Sequence, residues 1–327
     1  MDFKDKCVLV TGGTGTVGKA LVKYLIKNDV KKVIVVSRNE LNQVNFRREL
    51  VFELGESVLN RVVFALCDIR NNDIFKRLFQ GVNIVIHTAA LKHIDTCEVN
   101  IQETIEINAL GTMNVVNNSI DYGVEKMIHL STDKVCAPAT VYGASKLMAE
   151  RIVLDAKKYN KTKFAVLRCG NIAGSAGSVI PFFKSLLEKG QTVLPVTTSE
   201  SCRFWFEVKD VIASLCYVLD NMAGGEVFIP KMPSFRIVDL AKAMSNNEEV
   251  TFFGLRKNEK ESEGIFNEGR NFFESESMYV EINEDVDYSL VNDSFKKVKN
   301  PVYTTKDNKN WLSVNDLKEK VFKMYEE

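Results

Sequence analysis

Short apolar runs alternate with amphipathic segments over the first half of the chain, up to about residue 168. The runs have the length of buried strands, and the segments between them repeat apolar residues at helical spacing. This alternation predicts an α/β fold built on a doubly wound parallel sheet. We predict strands at 8–10, 32–36, 61–66, 82–87, 127–130 and 164–167, and a long helix over 101–121.

The alternation becomes irregular in the second half of the chain. Its patterned segments are a loop at 170–178, helices at 181–189 and 238–244, an aromatic strand at 202–206, and a final helix for which Ser313 is a suitable N-cap. We therefore predict a first domain over 1–168, to which about 202–225 returns. The remainder of 169–327 is predicted to form a smaller α/β domain.

The composition is that of an ordinary globular protein, with 45% hydrophobic and 26% charged residues among 327. A chain of this length can bury a large core. Lys plus Arg equals Asp plus Glu at 43 each, so no overall field attracts nucleic acid or an anionic membrane. No apolar run has the length of a membrane span or a secretory signal, which favours a cytoplasmic protein.

Seven cysteines and three histidines are scattered along the chain. No Cys-x-x-Cys pair is present, the cysteine count is odd, and several cysteines lie in apolar runs. We interpret them as reduced packing residues rather than a disulfide framework or a zinc site. The histidines are dispersed, so no metal centre is expected.

A glycine-rich turn at 11–18 joins the first predicted strand to a helix. Its glycines, Gly12, Gly15 and Gly18, permit a tight turn and let the backbone approach a pyrophosphate. The helix N-terminus supplies N–H groups and its dipole. The spacing is G-x-x-G-x-x-G, not the commoner G-x-G-x-x-G. The pattern favours a dinucleotide site, and a glycine turn without a ligand is the alternative.

Residues after the next predicted strands bear on which dinucleotide binds. A site for NAD usually has an acidic residue after its second strand, where this chain has Ser37 and Arg38. A guanidinium suits a 2′-phosphate and favours NADP, the alternative being a solvated Arg38. Asp68 follows the third strand and can accept from an adenine amino group. Lys92 follows the fourth strand and can reach a phosphate or a sugar.

The stretch 130–146 carries the densest candidate chemistry. Tyr142 and Lys146 are four residues apart, so they share one face of a helix. A cation beside a phenol lowers its pKa, and we expect Lys146 to prepare Tyr142 as a base in this way. Asp133 and Lys134 add an acid–base pair at the end of a strand. The alternatives are a surface lysine beside a half-buried tyrosine and an ordinary surface salt bridge.

Together these motifs resemble the extended short-chain dehydrogenase/reductases, which join a Rossmann domain to a smaller substrate domain. Similarity to nucleotide-sugar dehydratases that act on UDP-N-acetylglucosamine runs from residue 11 to about 313. The segments that carry it are TGGTGTVGK, SRNELNQ, HTAALKH, NALGTMNV, STDK, YGASK, CGNIAGSAGSVIPFF, RFWF and NKNWLS. Lys134 combined with Tyr142 resembles the soluble, inverting 4,6-dehydratases of the pseudaminic acid pathway type.

This resemblance, with the motifs above, implies an NADP-binding first domain and a second domain that binds a UDP-sugar. It implies catalytic roles for Thr132, Asp133, Lys134, Tyr142 and Lys146. It implies cofactor contacts from Gly12, Thr14, Gly15, Thr16, Val17, Gly18, Ser37, Arg38, Asn39, Asp68, Ile69, Thr88, Ala89, Lys92, Asn108, Ser131, Tyr142, Lys146 and Ile172. It implies substrate contacts from Lys92, Asn171, Gly177, Ser178, Val179, Thr197, Arg203, Arg256 and Glu259.

In the family reaction, Tyr142 takes the O4 proton as C4 is oxidised, and Thr132 hydrogen-bonds O4. Lys146 grips the nicotinamide ribose. Lys134 removes the C5 proton, and we expect partial desolvation and nearby cations to ease loss of its own proton. Asp133, if protonated, donates to the departing C6 hydroxyl. Reprotonation of C5 on the opposite face inverts the sugar.

Three positions depart from the family pattern: Ala176 replaces an Arg, Ile101 replaces a Pro, and 254–260 lacks the usual Pro-Gly. Ala176 and 254–260 fall in regions that resemble nucleotide or sugar contacts, so they bear on the identity of the sugar more than on the reaction. Competing interpretations are a 4-epimerase, a dehydratase for another UDP-sugar, and a protein that binds NADP or a UDP-sugar without turnover. Helices at 101–121 and 142–158 resemble those of a four-helix dimer contact, so a homodimer or a larger homo-oligomer is expected.

Overall fold

The computed structural model of this chain describes residues 2–159, 161–267, 269–282, 292 and 294–326. Parallel strands form the centre of its largest sheet. In chain order they are β1 (Cys7–Thr11), β2 (Lys32–Ser37), β3 (Val62–Leu66), β4 (Ile84–His87), β5 (Lys126–Thr132) and β6 (Lys163–Cys169). Their spatial order is β3-β2-β1-β4-β5-β6, the order found in dinucleotide-binding folds. The predicted doubly wound parallel sheet is confirmed.

The second half of the chain extends this sheet and builds smaller ones. Its strands are β7 (Asn171–Ile172), β8 (Leu194–Val196), β9 (Cys202–Phe206), β10 (Glu226–Pro230), β11 (Ser234–Arg236), β12 (Val250–Phe252), β13 (Asn271–Glu274), β14 (Met278–Ile282) and β15 (Lys296–Val298). Strand β10 pairs in parallel with β6, and β14, β13 and β15 follow in antiparallel pairings. The described part of the large sheet thus has ten strands. Strands β7, β9 and β11 form a three-stranded sheet, and β8 pairs with β12.

Some of the described helices pack on the large sheet, and others pack together beside it. They are α1 (Thr16–Lys27), α2 (Glu40–Leu54), α3 (Asn72–Phe75), α4 (Ile94–Val99), α5 (Ile101–Ile105), α6 (Gly111–Asp121), α7 (Val141–Asp155), α8 (Val179–Leu187), α9 (Val208–Asn221), α10 (Ile237–Ser245) and α11 (Val314–Glu326). Helix α1 contacts α9, and α6 contacts α7. A π turn at Glu106–Leu110 divides the predicted helix over 101–121 into α5 and α6. Helix α9 lies within the segment predicted to return to the first domain and packs on β5 and β6.

Arg168 is fully buried in β6 and joins three elements. Its guanidinium donates to Glu150 on α7 at 2.7 Å, to Glu281 on β14 at 2.5 Å and to the Ile265 carbonyl at 2.8 Å. A buried charge needs such partners. Removing one partner of a buried ion pair typically costs about 3–5 kcal/mol, so this network joins the two halves of the chain strongly.

A second, smaller hydrophobic core lies outside the large sheet. It includes Trp205 of β9, Phe235 of β11, Leu240 of α10 and Leu317 of α11. The Trp205 and Phe235 rings meet edge to face, with centroids 5.3 Å apart. This core gives the C-terminal elements a packed interior of their own, beside the carboxyl ends of the parallel strands.

Two features are absent from the described residues. No helix there is both long and apolar enough to cross a bilayer. No group of three or more His, Cys, Asp or Glu side chains there is arranged to hold a metal ion.

Candidate active site

A cleft of about 1240 Å³ runs along the carboxyl ends of the parallel strands. Its far wall comes from the second half of the chain. In open α/β sheets this edge, next to the point where the strand order reverses, is the usual ligand site. All of the predicted site residues line the cleft except Asn108 and Asp133. The sequence therefore located the cleft, although its residues come from segments far apart in the chain.

The glycine turn after β1 has the shape that a pyrophosphate requires. Gly12 has φ +66°, and a Cβ there would lie 2.8 Å from the Ala89 nitrogen. A Cβ on Gly18 would lie 2.4 Å from the Gly12 carbonyl oxygen, so the turn packs tightly against α1. Gly15 is the N-cap of α1 and makes no side-chain cap, which leaves N–H groups of the first turn for a ligand. The turn fits a dinucleotide.

Arg38 and Ser37 line the end of the cleft beside β2 and β3. The Arg38 side chain is 45% exposed, and its Nη1 lies 3.6 Å from Asp68 Oδ2. Arg70, which the sequence did not single out, pairs with Asp68 at 2.7 Å. Burial opposes ionisation of Asp68, but hydrogen bonds from Arg70 hold its pKa below the ordinary value. Arg38 Nη1 also lies 3.8 Å from Glu103 Oε1, so an anionic ligand here would replace long contacts with two carboxylates.

Asn108 lies in the π turn behind the cleft wall and is almost fully buried. Its side chain accepts from the Leu91 N–H at 2.8 Å and donates to the Leu91 carbonyl at 2.9 Å. It also donates to Ser145 Oγ at 3.0 Å. In this arrangement Asn108 holds the loop after β4 in place rather than facing the cleft as the sequence predicted.

Lys146 of α7 lines the cleft and is almost fully buried. Its Nζ lies 2.8 Å from His129 Nε2 and donates to the Leu130 carbonyl, also at 2.8 Å. Burial lowers the pKa of Lys146 to about 7, and the nearby Glu150 carboxylate opposes this only in part.

The Tyr142 phenol lines the same part of the cleft. Burial raises the pKa of Tyr142, while a hydrogen bond with Thr132 acts in the opposite direction. The expected lowering of this pKa by Lys146 is therefore wrong for this arrangement. The physical reason is that the Lys146 amine contacts His129 and Leu130, and desolvation of the phenol dominates.

Lys134 follows the end of β5 and lies among carboxylates. Its Nζ donates to Asp133 Oδ1 at 3.0 Å and to Asn171 Oδ1 at 3.4 Å, and it lies 3.8 Å from Glu263 Oε1. Burial would lower the pKa of Lys134, but Asp133 and Glu263 outweigh it and raise the pKa above the ordinary value. The expectation that Lys134 loses its proton easily is wrong for this arrangement, because carboxylates rather than cations dominate its surroundings.

Asp133 lies beneath the cleft floor and is fully buried. Thr132 Oγ1 donates to its Oδ1 at 2.9 Å, so the two predicted catalytic residues are joined directly. Among the described residues, Asp133 Oδ2 and Ser131 Oγ have no hydrogen-bond partner although both are buried. Buried polar atoms without partners are uncommon and are typical of functional sites.

Predicted substrate residues of the second half form the far wall. Arg203 donates to Glu259 Oε1 at 3.0 Å. Arg256 donates across the mouth of the cleft to Asp95 Oδ2 at 3.3 Å. Both guanidinium groups can therefore exchange a carboxylate for a diphosphate.

Loop 173–178 closes over the glycine turn. The Ala176 N–H donates to Thr16 Oγ1 at 3.2 Å, and Lys92 donates to Ser175 Oγ at 3.3 Å. Gly177 has φ +71°, and a Cβ there would lie 2.2 Å from His93 Cε1, so no other residue fits without displacement. The cofactor turn and the substrate wall are in direct contact.

The sequence missed several residues of the site, chiefly Glu263, His129, Asp95 and His93. His129 belongs to a buried strand, where alternation does not mark a functional side chain. Glu263 lies more than a hundred residues beyond Lys134 in an irregular segment. The sequence shows only that a charged residue lies in this irregular segment. It does not show which side chain that residue contacts in the folded chain.

Comparisons with known proteins agree with this geometry. A family model described as polysaccharide biosynthesis protein matches residues 8–283. A protein of Campylobacter jejuni (serotype O:2) named UDP-N-acetylglucosamine 4,6-dehydratase (inverting) is 36% identical over 334 residues, with 97% of each chain covered. A UDP-glucose 4-epimerase of Rickettsia rickettsii is 34% identical, covering 80% of this chain and 78% of its own.

The solved structure of Pen from Bacillus thuringiensis superposes with a TM-score of 0.89 at 30% identity, covering 99% of each chain. The family match and the near-complete overlap with inverting dehydratases confirm the resemblance predicted from the motifs. This chain belongs to the polysaccharide biosynthesis protein family, among the extended short-chain dehydrogenase/reductases.

Proposed function

We propose that this protein is an NADP-dependent UDP-N-acetylglucosamine 4,6-dehydratase that inverts C5. The observation that carries the proposal is Lys134, which lines the cleft with Tyr142 and donates at 3.0 Å to Asp133 directly beneath the cleft floor. Proton removal at C5 and loss of the C6 hydroxyl need one base and one acid beside the same sugar. The near-complete overlap with relatives that carry this name supports the assignment.

The residues divide the reaction between two parts of the cleft. A bound oxidised nicotinamide supplies a hydride acceptor for C4, positive charge beside the phenol, and the same hydride for C6. Tyr142 takes the O4 proton, while Thr132 hydrogen-bonds O4. The 4-ketone acidifies C5–H, which Lys134 removes. Asp133 protonates the C6 hydroxyl as it leaves as water, and C5 then regains a proton on its opposite face.

The Asp133–Lys134 pair can supply both forms that the reaction needs. Transfer of one proton from Lys134 Nζ to Asp133 over 3.0 Å converts an ammonium and a carboxylate into an amine and a carboxylic acid. The charge of the pair does not change, so a buried site can accommodate both states. The amine is the base for C5, and the acid is the proton donor for the C6 hydroxyl.

An epimerase is the second candidate, because relatives with that name cover most of the chain. Epimerisation moves hydride on and off C4 alone and has no use for an acid–base pair at C5 and C6. The buried position of Asp133 against Lys134 therefore favours dehydration.

Incubation with UDP-N-acetylglucosamine, followed by NMR of the sugar in heavy water, tests the proposal. We expect a 4-keto-6-deoxy sugar of inverted configuration, with solvent deuterium at C5. The hydrogen that began on C4 should appear at C6. Formation of UDP-N-acetylgalactosamine alone would establish the epimerase instead.

NADP rather than NAD is supported by Ser37 and Arg38 beside the predicted ribose site. A charge-assisted hydrogen bond contributes about 1.5–3 kcal/mol. Arg38→Ala should therefore weaken NADP binding roughly tenfold to a hundredfold and leave NAD binding almost unchanged, as measured by calorimetry. Arg47→Ala, at an exposed position of α2, is the matched control. Equal weakening of both dinucleotides would show that Arg38 does not contact the 2′-phosphate.

We also propose a cytoplasmic homodimer. Ile101, Ile105, Met113 and Met148 are exposed on α5, α6 and α7, the helices that resemble a four-helix dimer contact. Covering such side chains favours association. Sedimentation should show a dimer for the unmutated chain. For Ile105→Lys it should show a larger fraction of monomer at the same concentration.

A further inference from the structure

A second carboxyl group lies beside Lys134 in the cleft. Glu263 Oε1 is 3.8 Å from Lys134 Nζ, and the Glu263 side chain is only 5% exposed. Its backbone is fixed by Thr305: the Glu263 N–H donates to Thr305 Oγ1 at 2.9 Å, and the Thr305 N–H donates to the Glu263 carbonyl at 2.8 Å. The carboxyl group is therefore held in place by strand-like pairing rather than placed by a mobile loop.

Stability alone does not account for this carboxyl group. Within the described residues its Oε2 is buried without a hydrogen-bond partner, and Lys260 Nζ lies 3.8 Å from it. Burial raises the pKa of Glu263, and the attraction of Lys134 opposes this only in part. A carboxyl group that is desolvated and poorly paired destabilises the fold, and such groups cluster at functional sites.

Charges on every side of the pair determine what Glu263 can do. Lys134 faces the carboxylates of Asp133 and Glu263 and the guanidinium of Arg203. Glu263 faces Lys134, Asp133, Arg203 and Lys260. Removing the Glu263 charge would therefore leave Lys134 with one carboxylate and one opposing cation.

We propose that Glu263 is a positioning residue for the dehydration step: its carboxylate holds Lys134 as an ammonium ion and so sets the pH at which Lys134 becomes a free base. The inference rests on the proposed function, since it assigns a partner to the C5 base. Glu263 acts through Lys134 and transfers nothing to the sugar. Asp133 keeps its role as the proton donor for the C6 hydroxyl.

Glu263→Gln tests the inference because it removes the charge and preserves the shape. Turnover that requires the proton shared by Asp133 and Lys134 falls as the pH rises through the pKa of that lysine. An opposite charge within about 4–6 Å typically shifts a pKa by about 1–3 units. The basic limb of the rate profile should therefore move to lower pH by about one unit or more in E263Q. Glu261→Gln, at an exposed position of the same segment, should leave the limb unchanged.

A second readout does not depend on turnover. Lysine labelled with ¹³C at Cε reports the titration of Lys134 by NMR, with Lys134→Ala to assign the signal. The Lys134 titration should move to lower pH in E263Q and stay in place in E261Q. An unchanged titration overturns the inference, as does a slower E263Q enzyme whose pH limb does not move.

The two readouts separate this inference from the proposed function. If the unmutated protein forms no 4-keto-6-deoxy sugar, the dehydratase assignment fails, while the NMR titration still decides whether Glu263 controls Lys134. If E263Q does not fold, Glu263→Asp retains the charge but withdraws it by one methylene. That variant should move the Lys134 titration in the same direction by a smaller amount.

Discussion

Lys134 and Lys146 both lie at the carboxyl end of β5, and their surroundings affect them in opposite ways. Both are largely withdrawn from water, which alone disfavours an ammonium ion. Burial prevails for Lys146 and lowers its pKa to about 7, because its immediate neighbours are a neutral histidine and a carbonyl. At Lys134 the carboxylates of Asp133 and Glu263 prevail and raise the pKa. The sign of the shift thus depends on the neighbours more than on depth.

The difference suits two tasks. Lys146 lies beside the predicted nicotinamide ribose and loses its proton easily. Its protonation state can therefore change with the charge of the cofactor. A cation held by two carboxylates can remain charged until a proton moves within its own cluster. We infer that oxidation at C4 and proton removal at C5 are controlled by separate sets of neighbours, so variants should separate the two steps.

Loss of Lys134 should have the largest effect, because it removes the proposed C5 base and leaves the C4 oxidation site intact. Lys134→Ala leaves Tyr142 and Lys146 intact, so C4 should still be oxidised, and the 4-keto sugar should remain bound with up to one equivalent of reduced nicotinamide per site. Dehydration should slow by roughly a hundred- to ten-thousand-fold, as is usual when a general base is lost. Absorbance of the reduced nicotinamide and NMR of the released sugar measure the two steps.

Lys189→Ala, at an exposed lysine, is the control for this variant and should behave as the unmutated chain. Tyr142→Phe should instead give neither reduced nicotinamide nor product. Turnover of Lys134→Ala within a few-fold of the unmutated chain would remove Lys134 from the mechanism.

The depressed pKa of Lys146 predicts a pH-dependent stability. Between about pH 7 and 10.5 the unfolded chain binds a proton at this lysine that the folded chain does not, so stability rises with pH across this window. One proton gives a slope of up to about 1.4 kcal/mol per pH unit. Urea unfolding at pH 7.5 and 9.5 should show this increment in the unmutated chain and in Lys189→Met, but not in Lys146→Met. Equal slopes in all three would contradict the assignment.

His129→Leu has the smallest expected effect and tests whether the surroundings of Lys146 act independently of Lys134. It removes the ring nitrogen 2.8 Å from Lys146 and leaves the Leu130 carbonyl as acceptor. Loss of one such hydrogen bond costs about 1 kcal/mol, so stability should fall modestly and dinucleotide binding by several-fold. Lys134 should titrate as before. A shift in the Lys134 titration would show that the two lysines are coupled rather than independent.

The sequence motifs predicted the functional site more completely than the hydrophobic pattern predicted the helices and strands. The βαβ alternation located β1 to β6, and the glycine turn and the stretch 130–146 located the cleft, because local chemistry and strand ends coincide in this fold. Strand β10 escaped prediction because it is buried at every position and shows no alternation. Strands β13 to β15 escaped because they are only three to five residues long. The predicted pKa directions of Lys134 and Tyr142 were wrong for different reasons. That of Lys134 depends on Glu263, which only the folded chain brings near, and that of Tyr142 depends on burial of the phenol.

The ion network of Arg168 determines how this chain can be divided. A fragment that ends at residue 168 would keep Glu150 but lose Glu281, and it would expose the edge of β6 where β10 now pairs. Exposed strand edges favour association with other chains, so we expect the isolated first half to aggregate rather than to fold as a free dinucleotide-binding module. A chimera of two relatives joined near residue 168 would take Glu150 from one parent and Glu281 from the other. Both carboxylates must still fit the buried Arg168 guanidinium. The two halves are predicted to be inherited together, whatever sugar the second half selects.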